Sequence, residues 1–107
     1  MSKLFACCAV FLAVVAFTIA GATSGDDRGR QLFVKDATPP CALCHTLADA
    51  NAKANVGPSL DELKPDAQRV AQVVKAGIGA MPAYPQLSEE QLQAIARYVA
   101  RAAGGAK

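Results

Sequence analysis

The chain has 107 residues, with 11 lysine or arginine side chains against 9 aspartate or glutamate side chains. That length allows one small domain, and the near balance of charge, with no basic stripe, excludes the usual pattern of a nucleic-acid-binding protein. Beyond residue 22 the only aromatic side chains are Phe33, Tyr84 and Tyr98, so the chain buries little apolar surface of its own and composition favours a bound cofactor.

The first residues have the pattern of a secretory signal peptide. Lys3 precedes an apolar run over residues 4–22, and Ala20-Gly21-Ala22 is typical of a cleavage site. We therefore expect residues 1–22 to be a signal peptide and residues 23–107 to form the domain. The alternative is an uncleaved membrane anchor, because the apolar run is just long enough to span a bilayer.

Helical periodicity dominates the rest of the chain, and the alternation of a β-strand is absent. A first helix is predicted from about Asp26 to Asp36, with Ser24 as its N-cap. Pro39-Pro40 ends regular structure just before the first cysteine of the domain. The segment over residues 47–63 is predicted to be largely loop.

Cys41-Ala42-Leu43-Cys44-His45 is a C-x-x-C-H haem attachment pattern. The thiols of Cys41 and Cys44 can add across the haem vinyl groups as thioethers. His45, the next residue, is then held beneath the iron as an axial ligand. This pattern predicts one covalently bound haem c.

Two other kinds of cysteine site stay open at this point. A structural zinc usually takes four Cys or His ligands, and residues 23–107 contain no Cys or His besides these three. A redox dithiol or a disulfide suits an exported protein, although the βαβ pattern that surrounds thioredoxin-like motifs is absent.

Pro58 follows His45 in the long segment, and its carbonyl is a candidate acceptor for a hydrogen bond from the ring of His45. Such a bond selects the tautomer of a ligating histidine and raises its basicity as a metal ligand. The alternative is an ordinary turn proline.

The next helix is predicted to start near Pro65 and to end at Gly77, and a loop follows as far as Gln86. Its apolar face is marked by Val70, Val73 and Val74. This loop contains Met81, the only methionine outside the predicted signal peptide. Because a thioether is a soft ligand suited to haem iron, Met81 is the candidate sixth ligand.

The last helix has the clearest local signals. Ser88 and Gln91 are spaced as a capping box, and Leu87 and Leu92 occupy the positions of a hydrophobic staple. Gly104-Gly105 is predicted to end the helix. The resulting picture is an all-α domain of three or four short helices whose long loops suit a wrapped cofactor.

Taken in order, these motifs resemble the small class I c-type cytochromes of bacteria over roughly residues 26–104. The elements that carry the resemblance are the Gly29/Phe33 pair, Cys41-Ala42-Leu43-Cys44-His45, Gly57-Pro58-Ser59-Leu60, Met81-Pro82 and Tyr98. The resemblance implies the class I cytochrome c fold around one covalent haem, with the first and last helices crossing at Gly29 and Tyr98. One departure is the absence of tryptophan, whose place near a haem propionate would fall to Tyr84 or Arg69.

The resemblance implies a periplasmic one-electron carrier and not an enzyme. An iron ligated by both His45 and Met81 has no open position for a substrate. Redox proteins would dock transiently at the haem edge, with no nucleic acid and no stable membrane contact once the signal is cleaved. The expected contact residues are Ala42, Leu43, Ala80, Pro82 and Ala83.

Two alternatives concern the role of such a cytochrome. The segment over residues 56–82 resembles cytochrome subunits of sulfite dehydrogenases, which would make the chain a dedicated subunit of a periplasmic oxidoreductase. A peroxidase-like enzyme would need Met81 to dissociate, and no distal histidine is left to assist peroxide cleavage.

Overall fold

A computed structural model describes residues 13–16 and 25–105. Ser24 and the predicted cleavage site lie outside the described residues. No helix in the described part of the chain is both long and apolar enough to cross a bilayer.

The prediction of an all-α domain is confirmed. The α-helices are α1 (Gly25–Gln31), α2 (Leu60–Leu63), α3 (Ala67–Ala76) and α4 (Glu89–Ala102). Two strands of two residues each, β1 (Thr46–Leu47) and β2 (Ala52–Lys53), pair antiparallel, with Leu47 opposite Ala52. This ladder was not predicted from the sequence, since strands so short carry no alternating pattern.

The predicted first helix is helical throughout its described length but changes type. Its first part is α1, and Leu32–Asp36 continues it as a π-helical segment. Leu32 and Phe33, at the start of that segment, are 1% and 0% exposed. The wider π-helical turn therefore begins where the helix buries two large side chains, Leu32 and Phe33.

α3 begins at Ala67, two residues after the predicted start at Pro65. The reason is local, because Asp66 Oδ1 accepts a hydrogen bond of 2.8 Å from the backbone N–H of Arg69 and so caps the helix. The predicted end at Gly77 is confirmed, and Gly77 has a positive φ of 74°. Val70 and Val74 of the predicted apolar face are buried, and Val73 is half-buried.

The predicted capping box of α4 is present in full. Ser88 Oγ accepts a hydrogen bond of 3.1 Å from the backbone N–H of Gln91, and Gln91 Oε1 accepts one of 2.9 Å from the backbone N–H of Ser88. The helix ends at Ala102, just before the predicted glycines. Its buried face supplies much of the core through Leu92, Ala94, Ile95, Ala96, Tyr98, Val99 and Ala100.

α1 and α4 pack against each other at Gly29, which has no room for a side chain. A Cβ on Gly29 would clash with the carbonyl oxygen of Ala94 and with Cβ of Tyr98. One turn further on, the rings of Phe33 and Tyr98 meet edge to face with centroids 6.1 Å apart. The predicted crossing of the first and last helices is confirmed, and it places Phe33 in the floor of a large cavity.

Candidate functional site

The cavity that this packing encloses has a volume of about 480 Å³, within the range of sites that hold cofactor-sized molecules. Its lining is mainly apolar, and Arg69 is its only Lys, Arg, Asp or Glu. Side chains of the core form one part of the lining, and exposed apolar side chains form another. The core residues of the lining are Phe33, Cys41, Leu60, Val70, Val74, Tyr84, Ile95 and Val99.

A short 3-10 turn brings the residues of the attachment motif to this cavity. Cys41–Leu43 form the turn, and the backbone N–H groups of Cys44 and His45 both donate to the carbonyl of Cys41, at 3.1 and 3.0 Å. Cys41, Cys44 and His45 all line the cavity as a result. Both cysteines are free thiols, with Cys41 buried and Cys44 half-buried.

Burial in this apolar wall raises the pKa of the Cys41 thiol to about 11. The thiol therefore keeps its proton at neutral pH. Within residues 13–16 and 25–105, no group of three or more His, Cys, Asp or Glu could hold a metal ion. The zinc alternative therefore has no donor set in the described structure.

The ring of His45 is held by the segment that contains Pro58. His45 Nδ1 lies 2.7 Å from the carbonyl oxygen of Pro58, which is 13 residues further along the chain. A carbonyl can only accept a hydrogen bond, so Nδ1 carries the proton and Nε2 keeps the lone pair that a metal requires. This is the contact expected from the sequence.

Gly57 explains how this segment can approach the imidazole so closely. A Cβ on Gly57 would lie 2.6 Å from Cε1 of His45, and the Gly57 backbone N–H donates a 2.6 Å hydrogen bond to the carbonyl of Cys44. Any side chain at this position would push the ring out of place. The glycine therefore serves close backbone approach to the histidine.

Met81 lines the same cavity as His45 and is half-buried. It lies in the loop between α3 and α4, where Ile78 and Met81 exchange two backbone hydrogen bonds of 3.1 and 2.9 Å. Pro82 follows and also lines the cavity. The structure thus brings an imidazole, a thioether and two thiols to one apolar cavity, which is the donor set that a covalent haem needs.

Tyr84 and Arg69, the two residues considered as substitutes for tryptophan, both line the cavity. They differ in burial and in hydrogen bonding. Tyr84 is buried, and its hydroxyl donates a hydrogen bond of 2.6 Å to the carbonyl oxygen of Pro39. Burial raises the pKa of this phenol to about 12, so it stays a donor at neutral pH. Because its one proton is used in this bond, the Tyr84 hydroxyl is not available to donate to a haem propionate. The Arg69 side chain is exposed, so Arg69 is the better candidate for that contact.

The residues expected to contact partners are mostly exposed. Leu43 is 61% exposed, and Ala80, Pro82 and Ala83 are exposed as well, while Ala42 is half-buried against the core. Sequence reasoning missed Val56 and Ile78, which line the cavity and are 78% and 60% exposed. The sequence signal that could have identified them is an apolar residue adjacent to a glycine in a predicted loop, as in Val56-Gly57 and Gly77-Ile78-Gly79.

The chain matches the family model described as "Cytochrome C oxidase, cbb3-type, subunit III" over residues 25–99. It is also similar to a crystal structure of the c-type cytochrome SorU from Sinorhizobium meliloti, with 52% sequence identity and a TM-score of 0.74. That match covers 80% of this chain and 99% of the other chain. No curated protein matches the chain by sequence.

The matched region contains the attachment turn, the His45 and Met81 segments and nearly all of α4. The helical architecture around the cavity is that of a class I cytochrome c. The chain therefore belongs to the c-type cytochromes, in the domain family described as cbb3-type subunit III, which are electron-transfer proteins that bind haem c.

Proposed function

We propose that this chain is a periplasmic one-electron carrier in which Cys41 and Cys44 hold one haem c covalently and His45 and Met81 ligate its iron. When bound, the haem supplies an iron that gains or loses a single electron. The residues around it bind it, orient the ligands and exclude water. The observation that carries the proposal is the position of Met81 and His45 on the lining of one cavity, with Nδ1 of His45 bonded to the carbonyl of Pro58.

The hydrogen bond between His45 and Pro58 supports a ligand role for His45. It occupies Nδ1 and holds the ring in one orientation, as outer partners of ligating histidines do. The apolar lining supports a closed, dry site. Among the described residues, Arg69 is the only Lys, Arg, Asp or Glu in the lining, and it would be the side chain to pair with a haem propionate.

Loss of the thioether tests the ligand role of Met81. We expect the ferric wild-type protein to show a sulfur-to-iron charge-transfer band in its absorption spectrum, and the Met81→Ala variant to lack it and to bind added imidazole. Ile78→Ala is the matched control, because Ile78 is in the same loop and its bonds to Met81 are made by the backbone alone. A band that survives in Met81→Ala would contradict the ligation.

The same pair of variants tests the peroxidase-like alternative. A protein whose iron is saturated by two side chains binds no peroxide, so we expect peroxidase turnover to be absent from the wild type and to appear only in Met81→Ala. Turnover by the wild type at the level of Met81→Ala would favour the enzyme.

Export is the second part of the proposal. An apolar leader over residues 1–22 and a covalent haem fit an exported protein. The intact mass of the protein recovered from the periplasm checks this, since it reports both the mature N-terminus and the attached haem. A mass that includes residues 1–22 would favour the membrane-anchored alternative.

Partners of this carrier would bind at its exposed apolar side chains. Val56 and Ile78 of the lining and Leu43 of the attachment turn are large apolar side chains exposed to solvent, and they suit a small, transient contact with another redox protein. A dedicated role as the cytochrome subunit of a sulfite dehydrogenase-like complex is the second candidate, based on the resemblance of residues 56–82. Co-purification with a larger catalytic subunit would favour the dedicated role, and a free monomer would favour the general carrier.

A further inference from the structure

The loop that contains Met81 is closed at its base on the last turn of α3. The Gly77 backbone N–H donates to the carbonyl of Val73 at 2.7 Å, and the Tyr84 backbone N–H donates to the carbonyl of Val74 at 3.0 Å. The two ends of the loop are therefore held by neighbouring residues of one helix. These two hydrogen bonds hold the base of the loop, and the position of the rest of the loop depends on further contacts.

Tyr84 also connects this loop to the segment that leads into the attachment turn. Its hydroxyl donates to the Pro39 carbonyl oxygen at 2.6 Å across 45 residues of sequence. Pro39 lies two residues before Cys41, in the segment that leads into the attachment turn. One side chain thus joins the segment after Met81 to the segment before the first attachment cysteine.

A second hydrogen bond runs parallel to this one but is more exposed. Gln86 Nε2 donates to the carbonyl oxygen of Thr38 at 2.9 Å, and both residues are exposed. Water competes for such a bond, so it adds little to the restraint. Tyr84 is only 6% exposed, and its part-buried hydrogen bond is the less accessible to water of the two.

We propose that Tyr84 is a positioning residue for Met81: its hydroxyl ties the methionine loop to the attachment segment and so resists a movement that would withdraw the thioether from the iron. The inference rests on the proposed ligation by Met81. Tyr84 itself touches neither the reacting electron donor nor the acceptor. It acts through the position of another side chain.

The test compares two tyrosine-to-phenylalanine variants of the haem-loaded protein. Tyr84→Phe removes only the hydroxyl that bridges the loop. Tyr98→Phe is the matched control, because Tyr98 is also buried and also donates through its hydroxyl, but to Asp49 in the short turn between β1 and β2. The measured quantities are the dissociation constant of added imidazole for the ferric protein, the sulfur-to-iron charge-transfer band and the Tm.

Imidazole can bind only when the methionine leaves, so its dissociation constant reports how firmly Met81 is held. We expect Tyr84→Phe to bind imidazole about three- to tenfold more tightly than the wild type, the equilibrium factor of one net hydrogen bond. We expect Tyr98→Phe to bind imidazole as the wild type does, although its Tm falls.

A purely structural role for Tyr84 would lower the Tm of Tyr84→Phe and leave its imidazole affinity equal to that of Tyr98→Phe, and that result would overturn the inference. The wild-type spectrum separates this failure from a failure of the proposed function. If the band is present and the two affinities are equal, only the positioning role is wrong. If the wild type has no band, the ligation by Met81 is wrong and the positioning role is wrong with it.

Discussion

The hydroxyl of Tyr98 donates a hydrogen bond of 2.7 Å to Oδ2 of Asp49, which joins α4 to the short turn between the two strands. Arg101 lies over the face of the Tyr98 ring, 5.6 Å from its centroid, and pairs with Asp26 of α1. The buried phenol thus connects three segments that are distant in sequence. Its oxygen is tied to a carboxylate at the surface.

This contact gives the stability of the protein a predictable dependence on alkaline pH. Burial, followed by the hydrogen bond to Asp49, raises the pKa of Tyr98 well above its ordinary value. The folded chain therefore keeps the phenol proton where the unfolded chain loses it, above about pH 10. Since the unfolded state then binds fewer protons, the free energy of unfolding falls as the pH rises.

We expect Tyr98→Phe to be about 1 kcal/mol less stable than the wild type at neutral pH, the net value of one hydrogen bond. Between about pH 9 and about pH 11 its stability should fall less steeply, because the shifted phenol is gone. Urea unfolding of both haem-loaded proteins at several pH values measures this. Lysines titrate in both proteins alike, so parallel curves would show that Tyr98 does not contribute.

Gly29 is predicted to be intolerant of any side chain. Gly29→Ala would force α1 away from Ala94 and Tyr98, and overpacking of this kind costs about 1–3 kcal/mol. Gly25→Ala is the matched control in the same helix, because a Cβ there meets nothing within 4 Å. Chemical denaturation should show a lower free energy of unfolding for Gly29→Ala and no change for Gly25→Ala. Equal stabilities would mean that the helices can separate at little cost.

Gly57 is predicted to matter for the position of His45. A Cβ at Gly57 would press on the imidazole, so Gly57→Ala should turn the ring, weaken its bond to Pro58 and lower stability by about 1–3 kcal/mol. Absorption and magnetic circular dichroism of the ferric protein would show a growing high-spin fraction. Val56→Ala, one residue earlier and largely exposed, should leave both spectra unchanged. An unaltered spectrum in Gly57→Ala would argue that the ring has room to adapt.

The capping box of α4 offers a comparison between two serines at N-cap positions. Ser88→Ala removes the acceptor for the Gln91 N–H and should cost about 1 kcal/mol of stability. Ser59 stands at the start of α2 but makes no side-chain capping bond, so Ser59→Ala should be close to neutral. Thermal unfolding of the two variants checks the difference. A reversed order would contradict the capping geometry.

The sequence predicted the elements whose signals are local. The caps of α4, the apolar face of α3 and the loop at Met81 all follow from residues within one or two turns of each other. The contact between His45 and Pro58 was also expected, because a motif places the two residues at a defined separation.

Other features depend on contacts that no local pattern records. The strands are two residues long, and Asn51, in left-handed conformation with a φ of 52°, turns the chain between them. The partner of Tyr98 is Asp49 and that of Tyr84 is Pro39, each more than 40 residues away. Such pairings follow from the packing of the whole domain, so the sequence alone could not reveal them.

The base of the methionine loop, held on the adjacent residues Val73 and Val74, has a kinetic consequence. A ligand in a short loop pinned at both ends can shift little when the iron changes oxidation state. On the proposed ligation, the reorganisation energy of the inner coordination sphere is therefore small.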